Sequence, residues 1–210
     1  MSKVTIQGDA SGTGIFTIAS PNSNTDRTLV LPDEAGTVLT TAGVPASAMP
    51  AGSVLQVVQA VKTDAYAGSA GAQWADVAGL SATITPTSAT NKVLIIVDMK
   101  GQGQTDASTI RTRLVRNTIP IYFGDAAGSR PLGMGQFYIS AGGAGVYYLA
   151  QLGGSFLDSP ATTSPVTYKM QFGADNNTVG IYINRTQGDR NTAYTDVRSA
   201  SSIILMEIAS

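Results

Sequence analysis

Cysteine and histidine are both absent from this 210-residue chain. Without cysteine there are no disulfides and no Cys-based zinc or iron-sulfur sites, so rigidity has to come from packing and from association of chains. Without histidine the chain lacks the usual general base near neutral pH, the commonest metal ligand and the one-step activator of a serine nucleophile. Charge is scarce and balanced: 13 Lys and Arg stand against 14 Asp and Glu, with no clustered positive charge of the kind that counterion release at nucleic acid requires. No apolar run approaches the roughly 20 residues of a membrane-spanning helix. The start, Met1 to Thr5, has no apolar core of a secretory signal. The expectation is a protein made in the cytosol, with no nucleic-acid partner and no membrane insertion. A coiled-coil heptad is missing too.

For catalysis this leaves carboxylates, lysines and tyrosines. Glycoside hydrolysis needs only two carboxylates and survives that filter. The acids, however, are scattered and sit in turn contexts such as Phe123-Gly124-Asp125 and residues 173–177 (GADNN), where Asp is favoured because its side chain bonds nearby backbone. Asp175-Asn176-Asn177 lacks the rest of a twelve-residue calcium loop. Residues 101–106 (GQGQTD) lack the last glycine of a dinucleotide fingerprint and read as a loop. A non-enzyme with no cofactor and no metal is expected.

What is present is β-structure. Short aliphatic runs at 3–6, 14–18 and 28–31, bounded by Gly, Pro, Asn and Asp, make residues 1–42 a small β module, too small to carry its own core. Residues 43–52, with Pro45 and Pro50, read as an extended linker. Beyond them, residues 53–210 offer candidate strands at 54–61, 74–77, 80–86, 92–100, 110–116, 119–123, 145–158, 166–172, 179–184 and 202–208. Strands of this number and length, without a long amphipathic helix, predict an all-β chain whose larger part is an antiparallel β-sandwich or jelly-roll head. Ile110, Thr112 and Leu114 alternate with Arg111, Arg113 and Val115, so that sheet has one wet face. Trp74, the single tryptophan, reads as a packing residue. Residues 93–97 (VLIIV) and 203–206 (IILM) are instead apolar on both faces and need cover twice. A loop of the same chain could supply it, or a second chain, which makes Leu94, Ile96, Ile204 and Met206 candidate interface residues.

Residues 16–40 (FTIASPNSNTDRTLVLPDEAGTVLT) resemble the amino-terminal segment of bacteriophage virion fibre proteins, of tail-fibre or capsid-fibre type, notably those of phages of aquatic bacteria. Residues 84–103 (ITPTSATNKVLIIVDMKGQG) are similar to fibre-head sequence, and the last strand resembles the closing strand of trimeric jelly-roll heads. The resemblance implies a homotrimer located in the virion. Its amino-terminal module would attach to other virion proteins of tail, baseplate or capsid, with Phe16, Arg27, Leu29, Leu31 and Pro32 as attachment candidates. The head would contact a host cell-surface glycan or protein during adsorption. A capsid-decorating head fibre and a polysaccharide-cleaving tail spike are the alternatives. For receptor contact the expected chemistry is an aromatic ring beside amides, guanidinia and carboxylates on loops. Two segments fit: Asn184, Arg185, Asp189, Arg190, Asn191 and Tyr194 in one, and Tyr122, Asp125 and Arg130 in the other.

Overall fold

The structure, a computed structural model, describes residues 11–15, 22, 24–26, 28, 44–69, 73–104, 108–139, 147–175 and 180–210. The chain divides into two compact units, residues 1–39 and 40–210. In the first unit residues 11–15 are exposed, and the attachment candidates Phe16, Arg27, Leu29, Leu31 and Pro32 lie outside the described residues.

The second unit opens with a 3-10 turn, Ala46–Ala48, where the linker was expected to be extended. Pro45 sets the turn with φ of −62° and accepts a 2.9 Å bond from the Ala48 amide, so proline initiates the turn here. Eleven strands follow among the described residues: β1 Val54–Lys62, β2 Tyr66–Gly68, β3 Ala75–Ile84, β4 Lys92–Gly103, β5 Ser108–Arg116, β6 Ile119–Ile121, β7 Gly135–Ile139, β8 Ala150–Asp158, β9 Val166–Ala174, β10 Ile181–Ile183 and β11 Ser201–Ile208. No α-helix occurs among the described residues.

The pairings reduce these eleven strands to eight lines. β11 pairs Lys92 to Asp98 of β4 and β10 pairs Gly101 to Gly103 of the same strand, so β10 and β11 are one strand interrupted by residues 184–200. β2 pairs β10 while β1 pairs β11, making β1 and β2 a second interrupted strand. β6 and β7 pair opposite ends of β5 and form a third, interrupted by residues 122–134. Counting lines in chain order, one sheet runs first, eighth, third, sixth, and the other second, seventh, fourth, fifth, with every neighbour antiparallel. That is the order of a double-sheet jelly roll.

The core lies between the sheets and follows the strand period of two. In β4, Val93, Ile95, Val97 and Met99 point inward and are buried; in β11, Ile203 and Leu205 do the same; from the facing sheet come Leu80, Ile84, Ile110, Leu114, Tyr168, Met170 and Phe172. Each such side chain stabilises the fold by about 1.5–3 kcal/mol relative to exposure.

One buried polar cluster ties the sheets together. Asp158 at the end of β8 accepts bonds from Arg116 Nη1 on β5, at 3.0 and 2.9 Å, and from the Tyr168 hydroxyl on β9 at 2.7 Å. Burial, reinforced by the Asp158 carboxylate, pushes the Tyr168 hydroxyl well up, so it stays a donor. A second cluster anchors the connection between β3 and β4. Glu207 of β11, fully buried, accepts from Gln56 Nε2 at 2.6 Å, the Thr87 amide at 2.6 Å, Thr87 Oγ1 at 2.8 Å and Asn91 Nδ2 at 2.7 Å.

The strands differ from the sequence expectation in several places, among them the run expected at 145–158, whose described residues form strand only from Ala150, and that expected at 119–123, which ends at Ile121. Residues 74–77 and 80–86 merge into the single strand β3, whose register shifts between Asp76 and Ser81 around Gly79 at φ +80°, a bulge that side-chain alternation cannot reveal. Gly101 to Gly103, read as a loop, continue β4. A Cβ at Gly101 would stand 3.1 Å from both Ile183 Cδ1 and Leu152 Cδ1, so glycine there allows β8 and β10 to close on both edges. The short strands β2 and β7 are legible only as partners of β10 and β5.

Burial opposes ionisation of Glu207, but its four donors favour the carboxylate and hold its pKa below the ordinary value. A folded-state pKa that is depressed supplies stability present above the unfolded value and lost as pH falls through the folded one. Glu207→Gln keeps the shape but turns an NH2 toward the Gln56 amide, so at neutral pH it should cost about 2 kcal/mol. The stability gap between parent and variant should then shrink as pH drops below about 4.3. Denaturant unfolding of both proteins across that range is the check, and a gap independent of pH would contradict the assignment.

Candidate functional site

The first candidate surface is the outer side of the sheet that holds β4. Side chains that alternate with the core residues of β1, β11, β4 and β8 fall into cross-strand rows on this side. One row is Val57, Met206, Leu94 and Leu157; the next is Gln59, Ile204, Ile96 and Ser155; the third is Val61, Ser202, Asp98 and Gly153. Met206, Leu94, Ile204 and Ile96 are half-buried by their neighbours, and the flanking Val57 and Leu157 are 57% and 46% exposed. Ordinary antiparallel sheets turn polar residues to water on their outer side. Here one complete row, Val57 to Leu157, is apolar and the next is apolar at its two central positions, Ile204 and Ile96, with Lys92 near one end of β4 and the Asp98–Lys100 pair near the other. All four of the sequence-derived interface residues sit together on this face.

The second candidate surface is the excursion of residues 184–200, which leaves the strand at Asn184 and re-enters it at Ser201. Asn184 was expected to reach a receptor; it is fully buried, so that expectation is corrected. Its backbone takes the left-handed conformation, φ +60°, which Asn tolerates better than most residues. Its amide donates to the Lys100 carbonyl at 3.0 Å and its carbonyl accepts from Ser199 at 3.1 Å. Its side chain donates to the carbonyls of Lys62 at 2.8 Å and Asp64 at 3.1 Å, and accepts from Ser201 Oγ at 2.6 Å. One side chain thus pins the break between β10 and β11 to the break between β1 and β2.

Beyond that base the loop is built by its own charges. Arg185 and Asp189, both expected to meet a receptor, meet each other at 3.0 Å, and Arg198 binds the same Asp189 at 2.5 Å. Arg185 also lies over the Tyr182 ring at 5.2 Å. Asp196 accepts from Thr186 Oγ1 and from Arg190 at both Nε, 2.8 Å, and the backbone amide, 3.1 Å. The Thr186 bond first, and then the Arg190 contacts, hold its pKa at about 2. Arg190 in turn stacks over Tyr147 at 3.9 Å. Gln187 donates its amide to the buried Gln102 of β4 at 2.8 Å. What the loop leaves for a partner is its crest: Asn191 is exposed and Tyr194 is 96% exposed.

The other receptor segment is similarly divided. Tyr122, left-handed at φ +56°, stacks on Phe156 of β8 with ring centroids 4.9 Å apart, so part of its surface is used in packing. Asp125 and Arg130 are exposed, Arg130 folding back to the Ala127 carbonyl at 3.1 Å.

Sequence reading missed one arrangement. Trp74, expected to pack in the core, is half-buried on the outer side of the second sheet, where the alternating residues of β5 place Arg111 and Arg113 over its ring at 5.4 and 4.3 Å. The signal available was the Arg-x-Arg alternation of β5, which marks a wet face; that Trp74 joins it depends on the pairing of β3 with β9. Among the described residues no group of three or more acids could hold a metal ion.

Replacing Asn184 by Asp preserves shape and the left-handed backbone while removing two donors and aiming a carboxylate oxygen at two carbonyls. This should lower unfolding free energy by about 3 kcal/mol. Tyr194→Ala, at the crest, should leave it within about 0.5 kcal/mol of the parent. Chemical denaturation of the two variants measures both, and an unaffected Asn184→Asp protein would show that the clamp is dispensable.

No family model and no curated protein matches the chain. Among solved structures it is similar to one of infectious bursal disease virus, Gx strain, at 12% identity and a TM-score of 0.39, over 83% of this chain and 45% of that one. The chain therefore spans less than half the length of that neighbour, and at this score the likeness carries no functional argument.

Proposed function

We propose that this chain is a non-enzymatic structural protein of a virion, of fibre type, whose larger unit is a head that assembles as a homotrimer and meets a host cell-surface glycan or protein. The observation that carries the reading is the outer face of the β4 sheet. One apolar row crosses all four strands, about 4.8 Å apart, and Ile204 and Ile96 widen it over the central two, an apolar patch on the order of a few hundred Å2, a size often functional in soluble proteins. Further copies of the same chain are the occupant that fits. The patch is apolar at its centre, and the acid at its edge, Asp98, is already paired with Lys100, so the fit between copies rests on the apolar side chains. The amino-terminal resemblance to fibre proteins supports a place in the virion and an attachment role for residues 1–42.

Burial works to raise the pKa of Asp76 and Glu207, yet hydrogen-bond donors hold the pKa of Asp76, Asp196 and Glu207 down, the reverse of the raised value a general acid uses. Host contact is assigned to the crest at Asn191 and Tyr194, because the charged residues beneath it are engaged with one another. Its rigid base limits the ordering cost of binding.

Multi-angle light scattering of the full chain should give three times the chain mass. Ile204→Asp, at the centre of the face, should yield a folded monomer with an unchanged far-ultraviolet spectrum, since Ile204 is only half-buried in the single chain but would be desolvated in the assembly. A parent protein that stays monomeric at micromolar concentration overturns the trimer. Separately, a chain lacking residues 1–42 should no longer be incorporated into particles, and normal incorporation would move the attachment role elsewhere.

A further inference from the structure

The edges of the two sheets are built differently. In the sheet that carries the apolar face, β1 and β8 flank β11 and β4, and among the described residues each has a ladder partner on one side only. Both are nine residues long. Residues 54–61 (VLQVVQAV) and 150–157 (AQLGGSFL) contain no charge and no proline. The charges that close the two strands, Lys62 and Asp158, are buried and paired with Asp64 and Arg116. An edge of this kind presents unpaired backbone donors and acceptors to any other strand, which is why folded proteins blunt their edges.

The second sheet shows the blunting. Its edge strand β3 carries the register shift around Gly79, φ +80°, and the exposed charge of Asp76. Its other edge is cut into β6, three residues with Pro120 at the centre, and β7, five residues, with residues 122–134 between them. One chain thus guards the edges of one sheet and leaves β1 and β8 of the other open.

We infer that the open edges meet: β8 of one copy pairs with β1 of the next, so that the sheet of β1, β11, β4 and β8 continues from copy to copy. This names the contact inside the homotrimer proposed above and rests on that reading. Strand direction permits it. The four strands alternate, so β8 runs opposite to β1. Where copies are related by an axis along the strands, every β1 points the same way, and the seam is antiparallel like the rest of the sheet. Length agrees, nine residues against nine. The side chains agree as well: Val57 and Leu157 end the apolar row on these two strands, and the uncharged Gln59 and Ser155 end the next, so a seam carries the apolar row across from one copy to another. Pairing of β8 with β8 about a two-fold axis would close at two chains and leave β1 open; the head-to-tail seam uses both edges and closes as a ring.

Backbone hydrogen exchange, read by mass spectrometry on peptides from β1 and β8, tests the seam. A strand with one ladder partner leaves alternate amides facing outward, about four of nine. In the full-length trimer these amides should exchange about tenfold more slowly than in the Ile204→Asp monomer, in both strands together, while β3 and β7 exchange alike in the two proteins. A trimeric mass with fast exchange along both strands refutes the seam alone, because contact between faces covers side chains and leaves edge amides in water. Protection of one strand without the other overturns the head-to-tail pairing. A parent chain that scatters as a monomer refutes the assembly reading and the seam with it.

Discussion

The loop of residues 184–200 depends on a strand that breaks and resumes without losing its ladder, and the Asn184 side chain is the interaction that permits it. An excursion of residues 184–200 inserted into a strand of a closed sandwich leaves backbone donors and acceptors at its mouth, and buried groups left unpaired are costly. Asn184 answers with two donors, one acceptor and a left-handed backbone, joining Lys62, Asp64 and Ser201. Aspartate has the shape without the donors, and glycine has the backbone freedom without the side chain. The residue that looked most like a ligand-binding amide is the one that makes the loop above it possible.

With the base fixed, the two sheets divide the remaining tasks. Their inner faces are conventional, since alternate residues of each strand fill the core. The outer faces are opposites. One carries apolar rows centred on Leu94, Ile96, Ile204 and Met206; the other carries Arg111, Arg113, Lys169, Gln171 and Asp76 around a single indole. A sandwich with a greasy back and a polar, ring-bearing front can assemble through one side and keep the other in water. This division follows from the period of two: a residue's parity decides its face, and the composition at each parity decides what that face does.

Much of this architecture was legible because parity is a local property. The strands around Ile95, Leu114, Met170 and Leu205 announced themselves by alternation or by runs of aliphatics, and the two-sided apolarity of residues 93–97 and 203–206 placed four residues on one face before any pairing was known. Properties that depend on pairing were not legible. That β10 and β11 are one strand is visible only from their shared partner β4. Glycine at 101 reads as a loop until β8 and β10 are seen closing on it, and Trp74 reads as core until β3 is laid beside β9. Charge in a loop is ambiguous in the same way: Arg185 and Asp189 look available in sequence, and only the fold shows them satisfying each other and Arg198.

The absence of cysteine opens a direct route to the central claim, that the apolar outer face is covered by further copies of the chain. Gln59 and Ser155 are exposed in the single chain and flank Ile204 and Ile96 in the middle of that face, whereas Asp125 is exposed on a loop of the other sheet's edge strand. Single cysteines at these three positions can be compared by their rate of reaction with a maleimide at micromolar protein. The account expects slow labelling at positions 59 and 155, fast labelling at 125, and convergence of all three rates once the protein is diluted far enough to dissociate. Equally fast labelling at all three in the undiluted protein would contradict it.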